Sequence, residues 1–515
     1  MPVVERPWAT WTPPPGADSG DGPPRNGNGG TGRRPSPRPS PAPPASTAVA
    51  ERQPSRSSID YTAVRALRQQ VSKELTAALR DLTNVTTARR QAEGERIAAR
   101  LVQEHCDIKM RELGEPVTPQ EEAALLDAVA ADLFGLGRLQ GLLDRKDVIN
   151  IHILGYDQVR IELADGQIIE GEPIADSDED MIAMFQVLAM RAGATERSLS
   201  STKPWLDMQL PDGSRLTVVY QVSVRPYAVI RRHTLIDVTL DELRDTYGAI
   251  DDLLCGFLKA AMRAGLNIMV AGLADAGKST MLRALASEIS PKEAFITQEE
   301  SRELGLHDTG RHKWAMSLEA REGHGARGAD GRVAGEVTMS DLSPLTLRMS
   351  VQRIIVGEVR SREIVPMLQA MATSKGSMCT IHARDSRSVM DRIIELALQH
   401  GQEMRADLAR RMAAGAIDLI LYLTVEDETL IGGRKLRYAS ELVEVGGMSG
   451  EQVVTTLIFG PGADGRAVPR NVPDRLAGAL RRVGYDARIL SSYIQLGENN
   501  AGAWTRPLPT VGQAR

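Results

Sequence analysis

The chain has 515 residues, which leaves room for about two to four domains. Charged residues make up 25% of it, hydrophobic residues 42% and aromatic residues 4%, so a soluble protein with an aliphatic core is expected. The formal net charge of -5 provides no overall attraction to nucleic acid or to an anionic membrane. The 3 cysteines lie far apart, which argues against a disulfide framework and a four-cysteine zinc site.

Neither a membrane span nor a secretory signal is visible in the sequence. No segment reaches the roughly 18 uninterrupted apolar residues of a transmembrane helix, and Pro, Arg and Gly stand where a signal peptide would be apolar. We therefore expect a cytoplasmic protein without a direct membrane span, with any membrane contact made through partners.

Residues 1–58 are rich in Pro, Gly, Ser and Arg and contain few large aliphatic side chains. Such a segment cannot bury enough apolar surface to offset its conformational entropy, so it is predicted to be a disordered tail. In residues 59–145 apolar side chains recur at spacings of three and four, which predicts a helical region. Thr118 is placed to cap one of these helices, and Pro119 suits its first turn.

Beyond this region the hydrophobic period changes. Residues 146–243 alternate apolar and polar side chains around turn motifs and contain one helical stretch, which predicts a small α+β domain. In residues 244–430 short β-rich runs alternate with helical patterns, as in a mostly parallel sheet covered by helices. Residues 431–492 indicate a β/α extension, and residues 493–515 a flexible tail.

The most informative stretch is Asn267–Leu285, "NIMVAGLADAGKSTMLRAL". Its core, Gly272-Leu-Ala-Asp-Ala276-Gly277-Lys278-Ser279, fits the phosphate-loop pattern, with a strand before it and a helix after it. Backbone N–H groups through Thr280 would cradle phosphates, Lys278 would reach the β- and γ-phosphates, and the Ser279 hydroxyl would ligate Mg²⁺. ATP with Mg²⁺ is therefore the expected ligand. Asp275 stands where Gly is usual, and we expect this negative side chain to weaken nucleotide affinity.

Hydrolysis also requires carboxylates near the attacking water. Glu299 and Glu300 end one predicted strand, Glu358 ends the next, and His382 follows a third. Because ligands of open α/β sheets bind beyond the carboxyl ends of the strands, these side chains are expected to face the phosphates. The pattern leaves open which carboxylate polarises the water.

An ordered set of further motifs resembles a known family. "PWLDMQLPDGSRL", "VIRRH", the phosphate loop, "ITQEESREL", "GEVTMSDL", "LRMSVQRIIVGEVR" and "LQAMATSKGSMCTIHAR" occur in the order of the type II/IV secretion ATPases. Over roughly residues 60–460 the chain is most similar to the CpaF/TadA-like tight-adherence (Flp) pilus assembly ATPases, which are related to the VirB11 traffic ATPases. The resemblance implies an α/β fold with a RecA-like P-loop ATPase core, a preceding PAS-like α+β domain and N-terminal helices.

The resemblance also implies partners and site residues. It implies a homo-hexamer that works with an inner-membrane platform protein of a pilus or secretion system. By position, Glu299, Glu300 and Glu303 fall in the acidic box, Gly357 and Glu358 in an atypical Walker B motif that also contacts the metal, and His382 in the His box. The arginines that the resemblance assigns to nucleotide or to the subunit interface are Arg231, Arg232, Arg321, Arg348 and Arg360.

Two departures from the family pattern leave the function open. Ser317 and Ser350 stand where this branch usually has Arg, and loss of such an arginine can cost about 10³–10⁵ in rate. Arg311, Arg321 or Arg327 would have to compensate. The leading hypothesis is a mechanochemical ATPase, and the alternative is a nucleotide-binding scaffold that barely hydrolyses. A DNA-translocating RecA-type motor is weaker, because no basic groove with interleaved aromatic residues is visible.

Overall fold

The computed structural model describes residues 59–80, 86–114, 116–164, 166–191, 199–201, 203–232, 236–321, 323–327, 333–401, 403–428, 435–497 and 502–504. The tail predicted for residues 1–58 lies outside these ranges. The helices are α1 (Tyr61–Ala78), α2 (Thr87–Ile108), α3 (Pro119–Phe134), α4 (Gln140–Leu143), α5 (Asp178–Arg191), α6 (Leu240–Asp245), α7 (Asp252–Ala264), α8 (Lys278–Ala286), α9 (Met339–Thr346), α10 (Ile364–Thr373), α11 (Ser388–Leu398), α12 (Ala406–Ala416), α13 (Ala477–Arg482) and α14 (Leu490–Ile494).

The strands belong to three sheets. They are β1 (Val148–Leu154), β2 (Gln158–Leu163), β3 (Ile168–Gly171), β4 (Trp205–Gln209), β5 (Arg215–Val219), β6 (Tyr227–Arg231), β7 (Ile268–Gly272), β8 (Phe295–Glu299), β9 (Ala315–Glu319), β10 (His324–Arg327), β11 (Val333–Ala334), β12 (Arg353–Val359), β13 (Met378–His382), β14 (Leu419–Asp427), β15 (Lys435–Ser449), β16 (Gln452–Pro461) and β17 (Ala467–Pro469). No helix in the described ranges is long and apolar enough to cross a membrane.

The first three helices pack together through one apolar stripe each. On α1 the buried side chains recur at helical spacing, at Val64, Leu67, Val71 and Leu75. Helix α3 begins with Thr118 as its N-cap and Pro119 in its first turn, as the sequence predicted, and Glu121 completes a capping box.

The following α+β unit is built on a six-stranded antiparallel sheet. Its strand order is β3-β2-β1-β6-β5-β4, and α5 buries Met181 and Phe185 in the same core as the inward side chains of the sheet. Strand β1 pairs with β2 on one side and with β6 on the other, which brings Arg231 opposite Asn150.

The central sheet has nine strands in the order β17-β16-β15-β14-β7-β13-β12-β8-β9. Strands β14, β7, β13, β12, β8 and β9 are parallel, so their carboxyl ends share one edge. Side chains of β7 alternate between two cores: Ile268 and Val270 face one core, and Met269 and Ala271 the other. All five residues of β7 are buried, as expected for a strand covered by helices on both faces. The mixed α/β fold is thus the expected one.

The C-terminal strands continue this sheet instead of forming one of their own. Strand β15 pairs antiparallel with β14, β16 with β15, and β17 with β16. The flexible tail predicted for residues 493–515 is held at residues 502–504, where Ala503 N donates to Asp251 and Trp504 Nε1 to the carbonyl of Ala467. Residues 498–501 and 505–515 lie outside the described ranges.

Candidate active site

The phosphate-loop motif joins the buried strand β7 to helix α8. Gly277 closes the loop in the left-handed region with φ of 85°, where glycine adopts that conformation without steric cost, and α8 begins at Lys278. Ala276 is buried, and Ser279 and Thr280 are half-buried in the first turn of α8. The local structure is therefore the strand, turn and helix N-terminus that bind phosphate in other proteins.

Lys278 is folded back over this loop and is only 8% exposed. Its Nζ donates to the carbonyl of Leu273 at 2.8 Å and lies 3.3 Å from Nδ1 of His382. Burial lowers the pKa of Lys278 to about 8, although the negative charge of Glu358 acts in the opposite direction. The ammonium group of Lys278 therefore loses its proton at a pH only slightly above neutral.

The register of the parallel strands brings the predicted residues to one edge of the sheet. His382, at the end of β13, is the partner of Gly272 at the end of β7. Val359 of β12 is the partner of Ile381, and Val356 is the partner of Gln298 on β8. Glu358 on β12 and Glu299 at the end of β8 therefore lie on neighbouring strands, at the same edge of the sheet as the loop.

Glu358 and His382 form a direct contact. His382 Nε2 lies 2.9 Å from Glu358 Oε1, and the guanidinium of Arg360 donates to Glu358 Oε2 at 2.7 Å. Burial would raise the pKa of Glu358, but the hydrogen bonds from His382 and Arg360 outweigh it and lower the pKa to about 2. His382 thus lies between the ammonium group of Lys278, near its Nδ1, and the carboxylate of Glu358, near its Nε2. The lowered pKa keeps Glu358 ionised and weakly basic at neutral pH.

Glu299 has the opposite character. Its side chain is 2% exposed, Oε1 accepts from the backbone N–H groups of Glu303 and Leu304 at 2.8 Å each, and Oε2 has no partner among the residues that the structure describes. Burial raises the pKa of Glu299 to about 7, against the two backbone hydrogen bonds. A Cβ at position 357 would lie 3.0 Å from Glu299 Cγ, so Gly357 leaves room for this side chain against β12.

The acidic segment after Glu299 is braced by two arginines that sequence reasoning did not single out. Arg283 on α8 is buried and donates to the carbonyl groups of Glu303 and, at 3.1 Å, Leu304. Arg215 on β5 of the antiparallel sheet pairs with Asp207 at 2.6 Å and with Glu303 at 3.0 Å. The segment that holds Glu299 is therefore connected both to the helix after the phosphate loop and to the preceding α+β unit. The signal for Arg215 was its place in the quoted "PDGSRL" motif.

Arg231 at the end of β6 and the following Arg232, the predicted basic pair, lie in different environments. Arg231 is exposed, and its positive charge adds to the burial that lowers the pKa of Lys278. Arg232 instead donates to the carbonyl of Arg145 and lies 3.9 Å from Asp212. Arg232 is thus engaged with Arg145 and Asp212, and none of its described contacts is with the loop.

The other predicted residues lie at the margin of the site or away from it. Glu300 is exposed, and its charge adds to the larger effect of Glu358 in raising the pKa of Arg360. Arg321 bonds the carbonyl of Gly335, and Arg348 lies in the exposed turn after α9. Among the described contacts, none joins either arginine to Lys278, Glu358 or His382.

The structure gives no support for two of the arginines that were expected to compensate for Ser317 and Ser350. Arg311 pairs with Asp237 at 2.6 Å, so its guanidinium is already engaged. The side chain of Arg327 lies outside the described side chains. Neither observation supplies a cation to the loop from within the chain.

The donor chemistry of the site fits Mg²⁺ held together with a nucleotide. The half-buried Ser279 hydroxyl and the carboxylate of Glu358, which is 24% exposed, carry oxygen donors, the type that Mg²⁺ prefers. No group of three metal-binding side chains converges within the ranges described above, and a Mg²⁺ ion bound through phosphates and waters needs only one or two protein ligands.

Sequence comparison finds relatives over part of the chain. The family model described as "Type II/IV secretion system protein" matches residues 177–422. A putative conjugal transfer protein of Mycobacterium tuberculosis is 30% identical over 312 residues, which cover 59% of this chain and 84% of that protein. The type IV secretion system protein PtlH of Bordetella pertussis is 27% identical over 324 residues, covering 57% and 91%. The match to an uncharacterized Methanocaldococcus jannaschii protein, 28% identical, spans only 55% of its length.

Two solved structures are also similar to this chain. The VirB11 ATPase of the Brucella suis type IV secretion system is 23% identical, with a TM-score of 0.31 over 62% of this chain and 96% of that one. The pilus retraction motor PilT, solved with bound ADP, is 15% identical, with a TM-score of 0.41 over 70% and 89%.

The parallel sheet, the phosphate loop at its carboxyl edge and the acidic residues on the neighbouring strand ends define a P-loop protein of the α/β class. Within this class, the sequence relatives identify the family. The chain belongs to the type II/IV secretion system protein family.

Proposed function

We propose that the protein is an ATP hydrolase that binds Mg·ATP at the phosphate loop and couples hydrolysis to pilus assembly or protein secretion. The observation that carries the proposal is the chain of contacts from Lys278 through His382 to Glu358 at the loop, with the free carboxyl oxygen of Glu299 on the adjacent strand. A phosphate loop alone binds nucleotide, whereas this added pair of carboxylates with opposite pKa shifts is suited to hydrolysis.

Each group has a distinct role in this proposal. The N–H groups from Gly272 to Thr280 and the ammonium of Lys278 hold the phosphates, and Mg²⁺ on Ser279 would neutralise charge that develops on them. Glu299 accepts the proton of the attacking water at its free Oε2, because its pKa of about 7 suits a general base at neutral pH. Glu358 stays ionised, orients His382 and contributes to the metal site.

The finer assignments extend the family membership. We propose a CpaF/TadA-like tight-adherence branch, a homo-hexameric ring, and a location in the cytoplasm, peripheral to the inner membrane through a platform protein. The domain limits remain those proposed from the sequence, with a PAS-like unit over residues 146–243 and a RecA-like unit from residue 244. Arg231, Arg321, Arg348 and Arg360 are proposed to serve nucleotide in the assembled ring, and nucleic acid is not among the proposed ligands.

Phosphate release by the full-length chain tests the proposal. With ATP and excess Mg²⁺ the protein is expected to release phosphate well above the level of its Lys278→Ala variant, and to lose the activity when Mg²⁺ is chelated. Equal rates for the two proteins, measured on hexameric fractions, would show that hydrolysis is not a property of this chain.

The pH dependence of kcat/KM should be bell-shaped. The rate is expected to rise through about pH 7, as Glu299 loses its proton, and to fall above about pH 8, as Lys278 loses its charge in the free enzyme. Bound nucleotide stabilises the charged form of Lys278. The pH profile of kcat should therefore keep its rise through about pH 7 but lose its fall above about pH 8. Measurements at low and saturating ATP, with Mg²⁺ in excess throughout, check both profiles. A kcat/KM that stays flat across the range of these two pKa values is incompatible with these roles.

A second candidate is a nucleotide-binding scaffold with very slow turnover. The observation that favours it is the buried Ser317 hydroxyl, which has no partner within the described part of the chain and lies beside Thr297, two residues from Glu299 on the neighbouring strand. An arginine at position 317 would place a guanidinium near the free oxygen of Glu299. If the protein is such a scaffold, wild-type turnover is close to background, and the double substitution of Ser317→Arg and Ser350→Arg raises it. Robust wild-type turnover excludes the scaffold.

A further inference from the structure

Asp275 is an acidic residue in the phosphate loop, and the structure pairs it with two cations. It adopts a left-handed conformation with φ of 62°, which Asp tolerates better than most residues other than Gly. Its carboxylate forms an ion pair with Lys435, and Nη2 of Arg437 lies 3.0 Å from the same oxygen. We call Asp275, Lys435 and Arg437 the loop clamp.

Arg437 contacts the loop at more than one point. Its Nε donates to the backbone carbonyl of Asp275 at 2.8 Å, while Nη2 contacts the side chain of the same residue. Its Cδ lies 3.7 Å from the position a Cβ would take on Gly277. The guanidinium thus fixes a backbone group of the loop, and the aliphatic stem covers the glycine that precedes Lys278.

The sheet brings these residues together although 162 residues separate Asp275 from Arg437. Strand β14 lies beside β7 and pairs antiparallel with β15, with Asp427 opposite Lys435 and Val425 opposite Arg437. Lys435 and Arg437 are two residues apart, so both side chains leave the same face of β15.

Lys435 is held by more than the loop. Its Nζ lies 3.6 Å from Asp427 at the end of β14 and 3.9 Å from Glu162 on β2 of the α+β unit. Only 17% of the side chain is exposed. Lys435 would therefore keep its position even if the carboxylate of Asp275 were removed.

The loop clamp determines how strongly the charge of Asp275 repels a bound polyphosphate. Burial would raise the pKa of Asp275, but Lys435 and Arg437 outweigh it and lower the pKa, so the carboxylate is ionised at neutral pH. Two cations beside one carboxylate leave the loop favourable to phosphate. With either cation removed, less of the Asp275 charge would be neutralised, and it would repel phosphate at short range, partly screened by solvent because the side chain is 42% exposed.

We propose that Lys435 and Arg437 are positioning residues for ATP binding that act through Asp275: they neutralise its charge and hold the loop in its phosphate-binding shape. This inference rests on the proposed function, since it concerns the affinity of the same loop for ATP. It also changes the expected effect of Asp275, because a clamped aspartate need not weaken nucleotide binding.

A double-mutant cycle on the full-length protein tests the clamp. In the wild-type background, Lys435→Met and Arg437→Met should each raise the KM for Mg·ATP about 10-fold, with kcat changed less than about 3-fold. In the Asp275→Asn background, where no charge needs neutralising, Lys435→Met should change KM less than about 3-fold. Arg437→Met should there lose only the part of its effect that comes from charge, because the bond from its Nε to the Asp275 carbonyl does not depend on the Asp275 side chain. Arg437→Lys should recover part of the affinity lost in Arg437→Met.

The controls separate this inference from the proposed function. Arg392→Met, which removes a surface ion pair on α11, serves as the matched control for loss of a cation. Equilibrium binding of Mg·ATP and thermal unfolding are measured for every variant. If an Arg437 variant does not fold, the Lys435 variants still test the inference.

The outcomes are distinct. Absence of ATP binding in the wild type, or indifference to Lys278→Ala, defeats the proposed function. Normal wild-type binding with unchanged KM in the Lys435 and Arg437 variants overturns the clamp. Equal losses with and without the Asp275→Asn substitution also overturn it, because the cations would then act on ATP directly and not through Asp275.

Discussion

Phosphate release by the Lys278→Ala variant is expected to fall at least about 100-fold, to the background of the assay. The ammonium of Lys278 lies inside the loop, bonded to the Leu273 carbonyl and beside His382, so its charge stands where the phosphates are proposed to bind. Its loss removes stabilisation of the phosphate charge that develops during hydrolysis and also frees Nδ1 of His382 from its present neighbour.

The variant should nevertheless fold normally. Burial already lowers the pKa of Lys278 to about 8, which means that the charged lysine is a cost to the free protein and that alanine should not reduce stability. Thermal unfolding of the two proteins without nucleotide checks this, and Lys292→Ala, an exposed lysine, is the control for activity. More than about a tenth of wild-type activity in a well-folded Lys278→Ala protein would contradict the role of the loop.

Glu299→Gln is expected to reduce kcat by about 10²–10⁴-fold and to remove the acid limb of the pH profile. The substitution keeps the size of the side chain and an oxygen for the N–H groups of Glu303 and Leu304, but it removes the group that accepts the proton. If Glu358 is the base instead, Glu358→Gln should cause the larger loss and Glu299→Gln should keep the acid limb. Glu395→Gln, on the surface of α11, is the neutral control.

The same substitution should stabilise the protein at alkaline pH. Because the folded pKa of Glu299 is raised to about 7, the folded state holds its proton more tightly than the unfolded state, and stability falls as pH rises from the unfolded pKa through about 7. Gln carries no charge, so the free energy of unfolding should exceed that of wild type by roughly 1–3 kcal/mol at about pH 8.5 and differ little at about pH 4. Urea unfolding at the two pH values measures this, and an equal difference at both would contradict the assigned pKa.

The phosphate loop and its setting could be predicted because their signals are local. A buried apolar run, a glycine-rich turn and a helical pattern adjoin one another from Ile268 to Ala286, and the structure has a strand, a loop and a helix there. The expectation that Glu299, Glu358 and His382 share an edge also follows from local reasoning, since consecutive parallel strands end on the same side. Register in the sheet agrees with that expectation.

Interactions across long sequence separations could not be predicted. The sequence left open which carboxylate accepts a proton, because burial decides the pKa of Glu299 and two neighbours decide that of Glu358. Arg232 was grouped with Arg231, although its guanidinium bonds the carbonyl of Arg145. Lys435 and Arg437 carried one faint signal, two cations on one face at the start of a strand, but nothing local connected them with Asp275.

The continuation of the central sheet into β15 has a consequence for dividing the chain into fragments. A fragment that stopped at residue 430, the boundary suggested by the change of pattern, would leave β14 with a long unpaired flank along its whole length. Exposed flanks of this kind recruit other chains and favour aggregation. A soluble catalytic fragment should therefore retain β15, β16 and β17, together with the Trp504 segment that closes over Ala467.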